Sequence, residues 1–150
     1  TQSTPGHLIK RVIGMPGDTV ECCDDQDRLV VNGRSLDESS YLYVDVDDVQ
    51  VRPSDVRFKV VVPARSIFVM GDHRDVSADS RCHLSDLSTT GRTGQAAIVP
   101  IENVVGPAFA IAAPFDRASL MQSPAAFAGV PDATQSAPAR AVIEPVGVSC

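Results

Sequence analysis

The sequence predicts a mainly β fold, built of short strands over residues 1–115 and followed by a tail over residues 116–150. Three observations carry that expectation. Short apolar runs alternate with Gly, Pro, Asn and Asp turn signals throughout the first 115 positions. No stretch of ten or more residues there holds an apolar period of 3.6 residues. After Phe115 the composition shifts: 18 of the 35 residues 116–150 are Ala, Pro, Ser or Gly. Such a stretch has too little apolar surface to offset the entropy of ordering it, so a largely disordered tail is expected, with a short helix at most over Ser119–Ala128.

The elements follow in chain order. Leu8, Lys10 and Val12 alternate with Ile9, Arg11 and Ile13, which places Lys10 among apolar side chains on one face of a first strand. Met15-Pro16-Gly17-Asp18 is turn chemistry, and Thr19–Cys23 resumes an extended run. After the polar turn Asp24–Asp27, Leu29-Val30-Val31 meets Asn32-Gly33, the strongest hairpin signal in the chain. Tyr41–Val51 alternates Val with acids and reads as a solvated strand edge. Phe58–Val62, Ile67–Met70 and Val104–Ile111 complete the strands, with Gln95–Asn103 starting extended and ending in a short turn.

Composition narrows the function classes. The chain has 150 residues, enough for one domain with a tail. Thirteen Lys and Arg against nineteen Asp and Glu give a net charge of −6, which disfavours nucleic acid as a partner because phosphate binding needs a cationic footprint. The longest mostly apolar stretch, Val104–Phe115, is interrupted by Gly106, Pro107 and Pro114 and falls short of the roughly 20 residues a bilayer span needs. Residues 1–8 lack the basic and apolar regions of a signal peptide.

No cofactor is called for. Cys22, Cys23, Cys82 and Cys150 form no CxxC unit, and His7, His73 and His83 no HxxxH unit, so no metal site is expected. Asp45, Asp47 and Asp48 lack the loop pattern of a calcium site. A bridge from Cys22 or Cys23 to Cys82 is one option and free thiols the other, because neighbouring cysteines rarely meet disulfide geometry.

Two segments concentrate chemistry: His7–Asp18 and Phe68–Arg81. A strand lysine is ordinarily exposed and protonated, but a desolvated one loses its proton more readily and then accepts a proton from a serine hydroxyl. Asp72, Arg74, Asp75, Asp79 and Arg81 form either a solvated loop or a buried scaffold for a hydroxyl, with Ser77 and Ser80 as candidates. Charge counting leaves both readings of both segments open.

KRVIGMPGD at Lys10–Asp18 and GDHRDVSADSR at Gly71–Arg81 resemble the two C-terminal signature boxes of bacterial type I signal peptidases. VNGR at Val31–Arg34, VPARSIFVMGD at Val62–Asp72 and VPIENVVGPAFAIAAPFDR at Val99–Arg117 are similar to that family in content and order. The resemblance implies the C-terminal portion of a largely antiparallel, barrel-like catalytic domain over residues 1–115. It also implies a membrane-anchored serine endopeptidase with a Ser-Lys dyad, acting on preproteins at the outer face of the cell membrane. Residue by residue, Lys10 matches the general base and Ser77 the serine that orients its amine. Asp79 and Arg81 match a supporting ion pair, with Arg11 and Asp72 in the same scaffold. Leu8 and Ile9 match the strand that pairs with the substrate and lines pockets for small side chains. The partners implied are preprotein signal peptides with small residues near the cleavage site.

The chain also departs from that pattern. His73 and Val76 stand where the family often has Asn. The nucleophilic serine of the family lies some tens of residues before the lysine, after a membrane anchor, in a Ser-Met-x-Pro-Thr type of segment that also supplies oxyanion donors. Nine residues precede Lys10 here, and Ser3 lacks that context. The expectation is therefore a fragment of a full enzyme that is inactive alone, with exposed apolar surface where the remaining segment would pack. The alternatives are a truncated, non-catalytic β module binding extended peptides and, more distantly, a self-cleaving repressor protease.

Overall fold

A computed structural model of the chain describes residues 6–88 and 91–144. It contains β1 (Arg11–Gly14), β2 (Thr19–Cys22), β3 (Leu29–Val31), β4 (Arg34–Ser35), β5 (Phe58–Val61), β6 (Ser66–Met70), β7 (Val99–Pro100), β8 (Ala110–Ile111), β9 (Ser119–Leu120) and β10 (Val142–Ile143). Five 3-10 turns accompany them, among them Ser80–His83 and Ala125–Phe127. The strands form one sheet in the order β1-β6-β7, a second in the order β10-β5-β2-β3-β4, and the ribbon β8-β9. All of these pairings are antiparallel. The sheets stay open, with no closed barrel among the described residues.

Local chemistry accounts for the joints. Gly17 takes φ +92° between β1 and β2, and the Asp18 carboxylate accepts the Met15 N–H at 2.8 Å. Asn32 and Gly33, both at positive φ, close the β3–β4 hairpin as their sequence demands. Asn32 also locks the hairpin to β2, because its side-chain oxygen accepts the Thr19 N–H at 2.9 Å.

The register between β2 and β5 separates the two faces. Val20 faces Val60 and Cys22 faces Phe58 on the buried side, whereas Glu21 opposes Lys59 outside as an ion pair at 3.4 Å. Val20, Leu29, Val31, Leu36, Val60 and Val62 join Phe68 and Met70 from β6 in one core, each buried side chain contributing about 1.5–3 kcal/mol. Gly14 sets the contact between the sheets. A Cβ there would lie 2.6 Å from Val20 and 3.0 Å from Val62, so β1 approaches the second sheet as closely as backbone allows.

Several expectations change. Tyr41–Val51 is not a strand but a turn joined by the isolated bridge Val44–Gln50, and Val46 is 95% exposed. The Asp45 carboxylate makes that turn by accepting the Asp47 and Val49 N–H groups at 2.8 and 2.9 Å. Val104–Ile111 contributes only the short β8, with Val105 and Phe109 exposed. Cys22 is bonded to Cys23, its neighbour, so neither reaches Cys82.

The tail is placed in the structure as far as residue 144; residues 145–150, with Cys150, lie outside the described residues, as do residues 1–5, with Ser3. The helix expected over Ser119–Ala128 is β9 followed by the 3-10 turn Ala125–Phe127. Phe127, Val130, Ala141 and Ile143 pack half-buried against the core, and β10 pairs with the free edge of β5. An open strand edge offers backbone hydrogen bonds to any chain that can lie along it. A count of residue types does not register that source of stability. Among the described residues no helix is long and apolar enough to cross a membrane.

Candidate active site

The pairing of β1 with β6 builds the site. Arg11 stands opposite Met70 and Val12 opposite Val69, which sets Lys10, just before β1, beside Gly71, just after β6. Lys10 Nζ donates to Ser77 Oγ at 2.6 Å across 67 residues of sequence. Gly71 lies directly behind that bond. A Cβ built on it would stand 2.6 Å from Ser77 Cβ, nearer still to Ser77 Oγ, and 3.5 Å from Lys10 Nζ. Only a residue without a side chain leaves room for both partners.

The loop from Gly71 to Arg81 is held by buried charge. Asp79 is 4% exposed and Arg81 2% exposed. Arg81 donates to the two Asp79 oxygens from Nε and Nη2, at 2.9 and 2.8 Å, and its Nη2 also reaches the Arg74 carbonyl at 2.8 Å. Asp79 accepts the Gly71 N–H at 2.9 Å and caps the turn Ser80–His83 through the Arg81 N–H. Burial pushes the Asp79 carboxyl upward, but the Arg81 side chain and the Gly71 N–H outweigh it and hold the group below the ordinary carboxylate range. Ser80, the second hydroxyl candidate, accepts the Val69 N–H at 3.0 Å and does not reach Lys10. It anchors the loop to β6.

On the other flank, Arg11 grips Asp72 with two parallel bonds of 2.8 and 2.7 Å. The bond to Asp72 raises the guanidinium above its ordinary value. The Arg11 guanidinium also lies over the Tyr41 ring, 4.0 Å from its centre. His73, at one departure from the family pattern, stacks on Tyr43 with ring centres 3.8 Å apart. The other, Val76, is exposed.

Leu8 and Ile9 lie before β1, outside the strand expected to include them, and are 82% and 71% exposed, so they do not wrap Lys10 in aliphatic cover. Lys10 is half-buried instead, at one wall of a groove of about 530 Å³. Ile9, Lys10 and Val12 line one side and Met121, Ser123 and Phe127, all from the tail, the other. The tail wall had no signal in the sequence beyond isolated apolar residues in a small-residue stretch. Glu38, Tyr41 and Gly71 also lie against the site, and only Gly71 sits inside a box that sequence reading singled out.

Chemically, an amine held against a serine hydroxyl beside a groove is an arrangement able to accept a proton when the amine is uncharged. Among the described residues, no group of three or more His, Cys, Asp or Glu is arranged to hold a metal ion.

Comparison with known proteins places these features in context. The family model described as signal peptidase, peptidase S26, matches residues 2–113. Signal peptidase I of Mycobacterium tuberculosis (strain ATCC 25618 / H37Rv) is 39% identical over 122 residues, covering 77% of this chain and 40% of that protein. Signal peptidase I of Pseudomonas fluorescens is 35% identical over 125 residues, covering 70% and 43%. Signal peptidase I S of Bacillus subtilis (strain 168) is 41% identical over 81 residues, covering 50% and 41%. The chain thus spans about 40% of the length of the curated relatives it matches.

Proposed function

This chain belongs to the signal peptidase family, peptidase S26, and from that premise we propose that it is the general-base portion of a serine endopeptidase that removes signal peptides from secreted preproteins. In this reading Lys10 is the base, Ser77 orients its amine, and the nucleophilic serine comes from a segment outside these 150 residues. The uncharged amine takes the proton of that serine hydroxyl as the oxygen attacks the scissile carbonyl. Collapse of the tetrahedral intermediate expels the new N-terminus of the mature protein, which receives the proton from the lysine. The same amine then takes a proton from water as its oxygen attacks the ester; collapse releases the signal peptide carboxylate and the serine oxygen, which takes that proton back from the lysine.

The preprotein chain lies extended beside Leu8 and Ile9 and enters the groove between Ile9 and the tail. Backbone bonds to the strand edge hold it, and shallow walls admit only small side chains near the cut. A membrane anchor outside the chain places the site on the extracytoplasmic face. The observation that supports the assignment best is the 2.6 Å bond from Lys10 Nζ to Ser77 Oγ, with a glycine behind it.

The test uses the full-length protein and a purified preprotein. Lys10→Ala is expected to abolish cleavage, and Lys10→Arg equally, because a guanidinium stays charged. The 150-residue chain alone is expected to leave the preprotein uncut. Processing at the wild-type rate by either variant overturns the assignment. A second reading, a module that binds extended peptides without cutting them, is favoured by the open groove; it requires that the full-length protein bind the preprotein and never cleave it.

A further inference from the structure

Gly71 is the backbone on which the Lys10–Ser77 pair rests, and its two polar groups are held from different directions. Its N–H goes to Asp79, eight residues away in the same loop. Its carbonyl accepts Arg74 Nε at 2.9 Å. The rest of the Arg74 guanidinium is occupied by Glu38, at 2.5 Å from Nη2 and 3.2 Å from Nη1, and by the Pro53 carbonyl at 2.7 Å. Both side chains of the Glu38–Arg74 pair are 1% exposed. An arginine so deeply buried stays in place only while its counter-charge is there, because an unpaired charge at that depth is strongly unfavourable.

Glu38 also acts in a second direction. Its Oε1 accepts the Tyr41 hydroxyl at 2.6 Å, and burial with this neighbouring carboxylate pushes the phenol upward. The Tyr41 ring faces the Arg11 guanidinium, and Arg11 is next in sequence to Lys10. One carboxylate, 36 residues from Arg74 and far outside both boxes, therefore reaches the residue behind Ser77 and the residue beside Lys10.

We propose that Glu38 and Arg74 are positioning residues for the Lys10–Ser77 pair, fixing the Gly71 carbonyl and the Arg11 side chain so that Lys10 Nζ and Ser77 Oγ meet at bonding distance. The inference rests on the reading of Lys10 as base. Misplacement of reacting groups by about 1 Å is enough to lose about 10²-fold in rate. With no side chain at Gly71, a shift of its peptide passes directly to the Ser77 hydroxyl it touches. A purely structural role predicts something else: fewer folded molecules, each working at full rate.

The experiment compares full-length wild type, Glu38→Gln, Glu38→Asp and Lys10→Ala on a signal-peptide substrate, with active sites counted by a serine-acylating probe. Glu38→Gln is expected to lower kcat per counted site by about 10- to 10²-fold, with KM within about two-fold. The ascending limb of its pH–rate profile is expected to move, and Glu38→Asp to recover part of the rate. Wild-type kcat per site with an unmoved profile overturns the proposal. If Glu38→Gln does not fold, Tyr41→Phe, which removes only the hydroxyl from Glu38, decides by the same readouts. Activity surviving in Lys10→Ala sinks the reading of the base; a dead Lys10→Ala beside an unchanged Glu38→Gln sinks the positioning pair alone.

Discussion

Two loops of this protein are similar in composition and opposite in physics. Residues 45–55 and residues 71–81 each hold several acids and at least one arginine. In the first, Arg52 and Asp55 meet at 3.9 Å with side chains 75% and 77% exposed. In the second, Asp79 and Arg81 meet at 2.8 Å with side chains 0% and 3% exposed. Both are net acidic, at −3 and −1; what sets them apart is their other partners. Asp45 spends its carboxylate on the N–H groups of its own turn, whereas Asp79 and Arg74 bind the Gly71 backbone behind the Lys10–Ser77 bond. A charged loop becomes a scaffold when its ions are tied to peptide groups that something else depends on.

The largest expected effect is at the pivot of the second loop. Gly71→Ala drives a methyl into Ser77, and loss of at least about 10²-fold in preprotein cleavage by the full-length protein is expected. Cleavage within a few-fold of wild type would show that the loop tolerates movement and would erase the contrast. Next comes the buried pair itself. Asp79→Asn leaves Arg81 buried without its counter-charge and should lower unfolding free energy in urea by about 3–5 kcal/mol at neutral pH.

The sign with pH follows from the direction of the Asp79 shift. Its folded value is depressed, so its contribution is present above the unfolded value of about 3.9 and is lost as pH falls through the folded value. Wild type should therefore weaken in acid more steeply than Asp79→Asn. The smallest effect belongs to the exposed loop: Arg52→Ala should change stability by about 0–1 kcal/mol. A larger loss there would mean that exposure is a poor guide to which loop matters.

What was legible in advance divides along the same line. Asn32-Gly33 announced its hairpin because the turn is a property of two adjacent residues. Thr19–Cys23 and Phe58–Val62 were readable as strands because each is a short extended run, and the two pair as β2 and β5. The two boxes led to Lys10 and Ser77, and the structure brings that pair together. Glu38 was not readable, since its partner stands 36 positions away and nothing in Leu36-Asp37-Glu38-Ser39 distinguishes a buried acid from a solvated one. The valines of Tyr41–Val51 misled because their alternation is that of a strand, while Asp45 folds the segment into a turn. The path of the tail escaped for a related reason, because the edge of β5 that it covers is a feature of the folded sheet.

The rim position of β1 has a further consequence. Among the described residues it pairs on one side only, with β6. A peptide added along its other side would be read in steps of two, since neighbouring side chains point to opposite faces and a slip of one residue exchanges them all. Any pocket along that side would then meet every second side chain of the added peptide, with the one between facing away.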